Sequence, residues 1–136
     1  LAYGQSKLAK LLFAFELARK LEARGASQRS VACHPGYADT HLQFVGPELE
    51  RSRLSHAVMT IGNRLFAQSA EHGAWPTVYA ATASDAKNGD YIGPSGLGEA
   101  RGAPTHVQAR RAARNPELAQ RLWAVSVERT GVDLPT

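Results

Sequence analysis

Residues 17–36, "LARKLEARGASQRSVACHPG", contain a helix end, a turn and a strand in one short span. Apolar residues keep helical spacing as far as Leu21, and charge takes over at Glu22 and Arg24. Gly25 is a natural stop there, because glycine readily takes the left-handed conformation that closes a helix. Ser30 to His34 then reads as a short strand, and Pro35-Gly36 breaks it. A helix, a tight turn and a strand ending at Pro-Gly make one αβ step of a parallel α/β sheet. In open sheets of that kind ligands gather beyond the carboxyl ends of the strands. The loop "PGYADT", residues 35–40, is therefore where binding is expected.

Upstream, positions 4–24 read as one long helix. Leu8, Leu11, Leu12 and Phe15 recur at spacings of 3 and 4, and Phe13, Leu17 and Leu21 form a second apolar row beside them. So wide a stripe predicts burial on two sides, against a sheet and against another subunit. Downstream, 41–68 is less regular, although Leu54, Val58, Ile61 and Leu65 fall on one helical face. Ser69 is a plausible N-cap for a helix through about Thr82, with Glu71 and His72 in its first turn. Pro76 falls inside that pattern and predicts either a kink or a later start. A turn at Lys87-Asn88-Gly89 leads into a short strand, "GDYIG" at 89–93, and 93–104 reads as loop. The last helix, within "NPELAQRLWAVSVERTG", starts with Asn115 as N-cap and Pro116 at its first helical position. Leu118, Leu122 and Val125 share one face.

Two clear strands can be counted in 136 residues. Two parallel strands cannot cover both sheet faces and both edges with the helices available. The expected fold class is therefore α/β, as part of a doubly wound parallel sheet whose other strands lie elsewhere.

Composition narrows the function. Hydrophobic residues make up 43% and charged residues 21%, which is globular. No apolar run approaches the ~18 residues of a membrane span. Cys33 is the only cysteine, so no internal disulfide is available, and a reducing, cytoplasmic setting is expected. Its place in an apolar run reads as core filling. The net charge of +4 is a modest excess, and the basic cluster "ARRAAR" at 109–114 sits among alanines without aromatic partners. It reads as a solvated helix face, so nucleic acid is not an expected partner. His34, His41, His56, His72 and His106 are scattered, with no metal-ligand spacing backed by Cys or carboxylates. No metal is expected. His34 reads as a strand-end residue, and Asp39 borders the 35–40 loop without an assigned role.

Tyr3 and Lys7 stand four apart at the start of the first helix, hence on one face. A free tyrosine phenol titrates at about 10 and is a poor base at neutrality. An ammonium beside a phenol stabilises the phenolate. Such a pair suits proton transfer, though the bare spacing also fits an ordinary surface pair.

The setting of that pair carries a resemblance. "YGQSKLAKLLFAFELARKL" at 3–21 resembles the active-site helix of the short-chain dehydrogenase/reductase family, in the branch holding retinol dehydrogenases and protochlorophyllide reductases. Lys10 stands where that branch often has Asn. "HPGYADT" at 34–40 resembles the family's nicotinamide loop. "GAWPTVYAATA", "GDYIGPSGLGE" and "LWAVSVERTG" resemble, in order, its later helix, last strand and C-terminal helix.

The resemblance implies the C-terminal half of a Rossmann-type doubly wound sheet, with the N-terminal nucleotide-binding half absent. Residues 1–136 would be the C-terminal part of a single NAD(P)-binding domain, with 41–68 in the substrate lobe. It implies hydride transfer between a carbonyl and an alcohol, with NADP favoured over NAD. Tyr3 would be general acid in reduction and general base in oxidation. Lys7 would assist it and hydrogen-bond the nicotinamide ribose. Pro35, Gly36, Ala38 and Thr40 would meet the cofactor. The partners implied are a small carbonyl or alcohol substrate, lipophilic if the apolar lobe lines its site, and a second subunit through helix 4–24. The family's glycine-rich pyrophosphate turn and its catalytic Ser have no counterpart in these residues. The expectation is an oxidoreductase fragment inactive as the isolated chain. The alternative is a non-catalytic truncated or split fragment acting only in folding or oligomerisation.

Overall fold

Helix α1 spans Ala2–Ala23 and ends as Gly25 predicts. Gly25 sits at φ 63, its N–H bonds the Glu22 carbonyl at 2.9 Å, and the Ala26 N–H reaches back to the Leu21 carbonyl at 3.0 Å. Those paired bonds satisfy carbonyls that the helix end would leave open. The computed structural model describes residues 2–36 and 69–134. The apolar face expected over Leu54–Leu65, and the loop residues Ala38, Asp39 and Thr40, lie outside the described residues.

Three strands are described: β1 at Ala32–Cys33, β2 at Tyr91–Pro94 and β3 at Pro104–His106, in the order β1-β2-β3. The Ala32 N–H bonds the Asp90 carbonyl at 2.9 Å and the His34 N–H bonds the Ile92 carbonyl at 3.0 Å. Both partners advance together, so β1 and β2 run parallel. β3 is antiparallel to β2, pairing Ile92 with His106 and Pro94 with Pro104. The sheet is thus mixed, and the purely parallel expectation needs correcting by one strand. β3 lies where the sequence reads as loop giving way to an unassigned stretch. Two prolines hide it, and both sit at strand ends, where a missing N–H is tolerated. The strand at 30–34 also contracts to a two-residue ladder.

The chain divides into two units. The first comprises Leu1–Ala32, Ser84–Tyr91 and Gln108–Thr136; the second comprises Cys33–Ala83 and Ile92–Val107.

In the first unit α1 packs on α3, Pro116–Thr130, and on a 3-10 turn at Arg111–Arg114. Leu12 and Ala18 of α1 are buried, as are Ala86, Ala109, Ala113, Ala119 and Trp123. The Asn115 side chain caps α3, accepting from the Leu118 N–H at 3.1 Å, and Pro116 needs no N–H partner in the first turn. The Leu118, Leu122 and Val125 row on α3 is not its buried side. Leu118 and Val125 are exposed, whereas Ala119 and Trp123 are buried. The Trp ring is the largest apolar surface on the helix, and burying it outweighs turning the Leu-Val row inward. The 109–114 cluster is likewise no plain solvated helix face: Ala109 and Ala113 are buried and only one 3-10 turn forms.

Asn88 ties this unit together. Its Oδ1 accepts from the Ser30 N–H at 2.9 Å and its Nδ2 donates to the Ala18 carbonyl at 2.8 Å. The Ser30 hydroxyl donates to the Ala14 carbonyl at 2.9 Å, and Arg29 donates to the Ala86 carbonyl. Sequence reading gives Asn88 only as a turn residue.

In the second unit α2, Ala70–Thr82, is capped by Ser69, whose hydroxyl accepts from the His72 N–H at 3.2 Å. Pro76 neither delays the start nor ends the helix. It is fully buried, and the apolar area it hides offsets the bond its nitrogen cannot donate. α2 packs on β3, where Tyr79 meets His106 edge to face at 6.1 Å between ring centroids. Ile92 and Pro94 are also fully buried.

Candidate functional site

The first predicted group lies at the start of α1, in the first unit. Tyr3 and Lys7 share one face, as their spacing requires. The Lys7 ammonium sits 5.0 Å from the Tyr3 ring centroid, over the ring. That geometry is a cation-π contact, in which the cation is drawn to the negative face of the phenol. Tyr3 is 66% exposed, so a ligand can reach its hydroxyl. The Ser6 hydroxyl donates to the Tyr3 carbonyl at 2.8 Å and helps fix the first turn. Chemically the pair offers one hydroxyl able to give or take a proton and one cation with three N–H donors.

The second group, Pro35 and Gly36, follows β1 in the second unit. Gly36 takes φ 72, and a Cβ there would come within 2.7 Å of Pro94 and closer still to the Ala100 carbonyl. Only glycine fits that position, which supports the reading of Pro-Gly as a specified turn. Ala38 and Thr40, predicted beside them, are among the residues not described. The structure brings Tyr3 to Lys7, and separately Pro35 to Gly36.

His34 is the residue that sequence reading undervalued. Its Nδ1 accepts from the Gly36 N–H at 3.2 Å, and its Nε2 lies 3.1 Å from the Glu99 carboxylate. With Nδ1 accepting, the neutral ring carries its proton on Nε2, which donates to Glu99. Glu99 belongs to a 3-10 turn at Leu97–Glu99 in the β2–β3 connection. It is the one non-glycine with positive φ among the described residues, at 58°. No local pattern announces a pairing across 65 positions. The signal available was the His-Pro-Gly triplet itself.

Cys33 places its Sγ 3.5 Å from the Thr77 hydroxyl, half-buried, in keeping with a packing role. Among the described residues no three His, Cys, Asp or Glu side chains gather as a metal site. No described helix is long and apolar enough to cross a membrane. The first unit also holds an apolar cavity of about 420 Å³ lined by Phe13, Leu17, Trp123, Val127, Val132 and Leu134.

Comparison with known proteins gives a consistent answer. The chain is 38% identical over 132 residues to polyprenol dehydrogenase of Mus musculus, covering 96% of this chain and 35% of that protein. It is 35% identical over 138 residues to retinol dehydrogenase 13 of Homo sapiens, covering 99% of this chain and 38% of that one. A short chain dehydrogenase/reductase of Macrophomina phaseolina is 30% identical over 122 residues, covering 89% of this chain and 55% of its own length. This chain therefore spans little more than a third of the first two relatives. No protein-family model matches it. Among solved structures, an uncharacterised protein from Mycobacterium paratuberculosis matches all of this chain and 41% of its own, at 33% identity and a TM-score of 0.70.

Proposed function

We propose, from the premise that the chain belongs to the short-chain dehydrogenase/reductase family on its retinol dehydrogenase-like branch, that it supplies the proton-transfer pair of a nicotinamide-dependent oxidoreductase. The observation that carries this reading is the contact of Lys7 with Tyr3 at 5.0 Å, inside the sequence "YGQSKLA" at 3–9.

The residues present fit a nicotinamide dinucleotide by their donor chemistry. Lys7 offers only N–H donors, which suit ribose hydroxyl oxygens, and Tyr3 offers an exposed phenol. The bound cofactor would supply or accept the hydride. In reduction Tyr3 Oη gives its proton to the substrate's carbonyl oxygen as that oxygen becomes a hydroxyl. In oxidation the Tyr3 phenolate takes the alcohol proton. Lys7 stabilises the phenolate by its charge. The Pro35-Gly36 backbone, with Ala38 and Thr40, would meet the nicotinamide end of the cofactor; this rests on the family resemblance of "HPGYADT". The substrate class is a carbonyl or its alcohol. The names of the relatives, polyprenol and retinol dehydrogenases, favour a lipophilic one. NADP is preferred to NAD on the resemblance alone.

The test is Tyr3→Phe in the protein at its natural length, with NADH and NADPH each offered alongside a panel of aldehydes and ketones. Turnover is expected to fall by about 10²-fold or more while cofactor affinity changes little. Undiminished carbonyl reduction by Tyr3→Phe would refute the proposal.

A further inference from the structure

We infer that His34 is a positioning residue: its Nδ1 holds the Gly36 N–H, and Glu99, at the tip of the β2–β3 connection, holds its Nε2–H, so that the Pro35-Gly36 turn is fixed from behind. The inference rests on the cofactor-binding reading of that turn, and deepens it.

Five observations in the second unit carry it. The Gly36 N–H points to His34 Nδ1 at 3.2 Å, across a gap of only two residues, so the ring closes the turn on itself. That bond demands an unprotonated Nδ1. The only neutral tautomer that satisfies it carries the proton on Nε2, where the Glu99 carboxylate stands 3.1 Å away. A carboxylate accepts and cannot donate, so its partnership selects that tautomer.

Space is reserved for the ring. It lies on Gly93 of β2, where a Cβ would come within 2.8 Å of the ring Cδ2 and nearer still to Nε2. A side chain at 93 would force the imidazole or the strand beneath it to shift. Glu99 is held in a conformation that ordinary residues avoid, φ 58, with its N–H bonded to the Gly96 carbonyl at 2.8 Å. Gly98, just before it, is also left-handed at φ 62. A glutamate in that place forgoes the ease a glycine would have, and the contact its carboxylate makes is with His34. The turn itself is backed by Pro94 and the Ala100 carbonyl, against which Gly36 leaves no room for a side chain. Strand end, hairpin tip and turn thus meet around one imidazole.

The proposal is separable from general packing because two amide side chains imitate the two ring nitrogens differently. The Asn Oδ1 falls near the place of Nδ1 and can accept from Gly36. The Gln side chain reaches toward Glu99 but offers nothing at the Nδ1 position. His34→Asn and His34→Gln are therefore made in the protein at its natural length. Three readouts are taken: the ¹⁵N signals of the wild-type His34 ring, hydrogen exchange of the Gly36 amide, and fluorescence titration with NADH and NADPH.

The wild type is expected to show an unprotonated Nδ1 and a protonated Nε2. His34→Gln is expected to speed Gly36 exchange about tenfold and to weaken dinucleotide binding by a similar factor, the size of one lost hydrogen bond. His34→Asn is expected to restore most of both. A protonated Nδ1 in the wild type, or equal behaviour of the Asn and Gln variants, would overturn the inference while leaving Tyr3 and Lys7 untouched. So would faster Gly36 exchange in the Gln variant with unaltered cofactor affinity. If the wild type binds neither dinucleotide, the function proposed above falls first, and the positioning role with it.

Discussion

The Phe13 ring stacks on Trp123, with centroids 4.9 Å apart and planes inclined by 18°. The contact joins α1 to α3 within the first unit. It gives the second apolar row of α1 a partner within the first unit. Trp123 is buried while Phe13 is 40% exposed, so the two sides carry unequal weight. Trp123→Ala is expected to lower unfolding free energy by about 3–5 kcal/mol. Phe13→Ala, with less area to lose, is expected to cost about 1–2 kcal/mol. A double-mutant cycle in urea should return a coupling of about 0.5–1.5 kcal/mol. Strictly additive effects would mean the rings do not stack in solution.

Trp123 is also clasped at its other end. Asp133 Oδ1 accepts from Trp123 Nε1 at 2.9 Å and from the Leu134 N–H at 2.8 Å. The Leu134 bond, then the Trp123 bond, hold the Asp133 carboxyl below the ordinary carboxylate value of 3.8, with help from the charges of Lys20 and Arg24. A depressed acid stabilises the fold in full above its unfolded pKa and loses that contribution as pH falls through the folded one. The clasp should therefore persist at pH 5 and release only below about 3.8. Trp123 emission, read in a Trp75→Phe background, is the probe. Asp133→Asn should abolish that acid transition, and a transition unchanged by the substitution would assign it to another group.

Much of this fold is legible in the sequence where a local rule governs. Gly25 ends α1, Ser69 and Asn115 cap their helices through their own side chains, and Pro116 marks a first turn. Each needs only a few neighbouring residues. What escapes depends on contacts far apart in the chain. β3 exists because Pro104–His106 pairs with Ile92–Pro94, and its prolines argue locally against a strand. The inner face of α3 turns on Trp123 meeting Phe13, which no periodicity on α3 alone can reveal. The same holds for the candidate site. The i, i+4 pair of Tyr3 and Lys7 is local and is found as expected, while the support His34 draws from Glu99 is a tertiary fact.

Glu16 illustrates a buried charge that helix periodicity hides among apolar neighbours. It is 5% exposed, and its Oε2 accepts from Arg19 through Nε at 3.0 Å and Nη2 at 2.5 Å. Arg19→Met leaves a buried carboxylate without its cation. Because the Arg19 side chain is 39% exposed, solvent softens the loss, and about 1–3 kcal/mol is expected. Replacing both residues, Glu16→Leu with Arg19→Met, should recover most of that cost. A double variant weaker than Arg19→Met would show that Glu16 has a structural role of its own.

Asn88 bonds two backbone groups from distant segments, the Ser30 N–H and the Ala18 carbonyl. Asn88→Ala abandons both in a half-buried place. The expected loss is about 1–3 kcal/mol, with faster hydrogen exchange at Ser30. Asn88→Asp keeps the acceptor for Ser30 and removes the donor to Ala18, so Ser30 protection should survive while stability still falls. Ser30 protection unchanged in both variants would show that the turn at 87–90, not the side chain, holds that segment.

Gly93 gives the sharpest test of how the second unit packs. It is buried on β2 with the His34 ring against it, and a methyl group there would press on that ring. Gly93→Ala is expected to cost about 1–3 kcal/mol, as overpacking does, and to shift the His34 ring signals. Truncating the ring as well should relieve the clash. Gly93→Ala with His34→Ala is therefore expected to be less destabilised than the sum of the single changes. A fully additive pair, with His34 signals unmoved by Gly93→Ala, would mean that the imidazole does not lie over β2 and that Gly36 is held by something else.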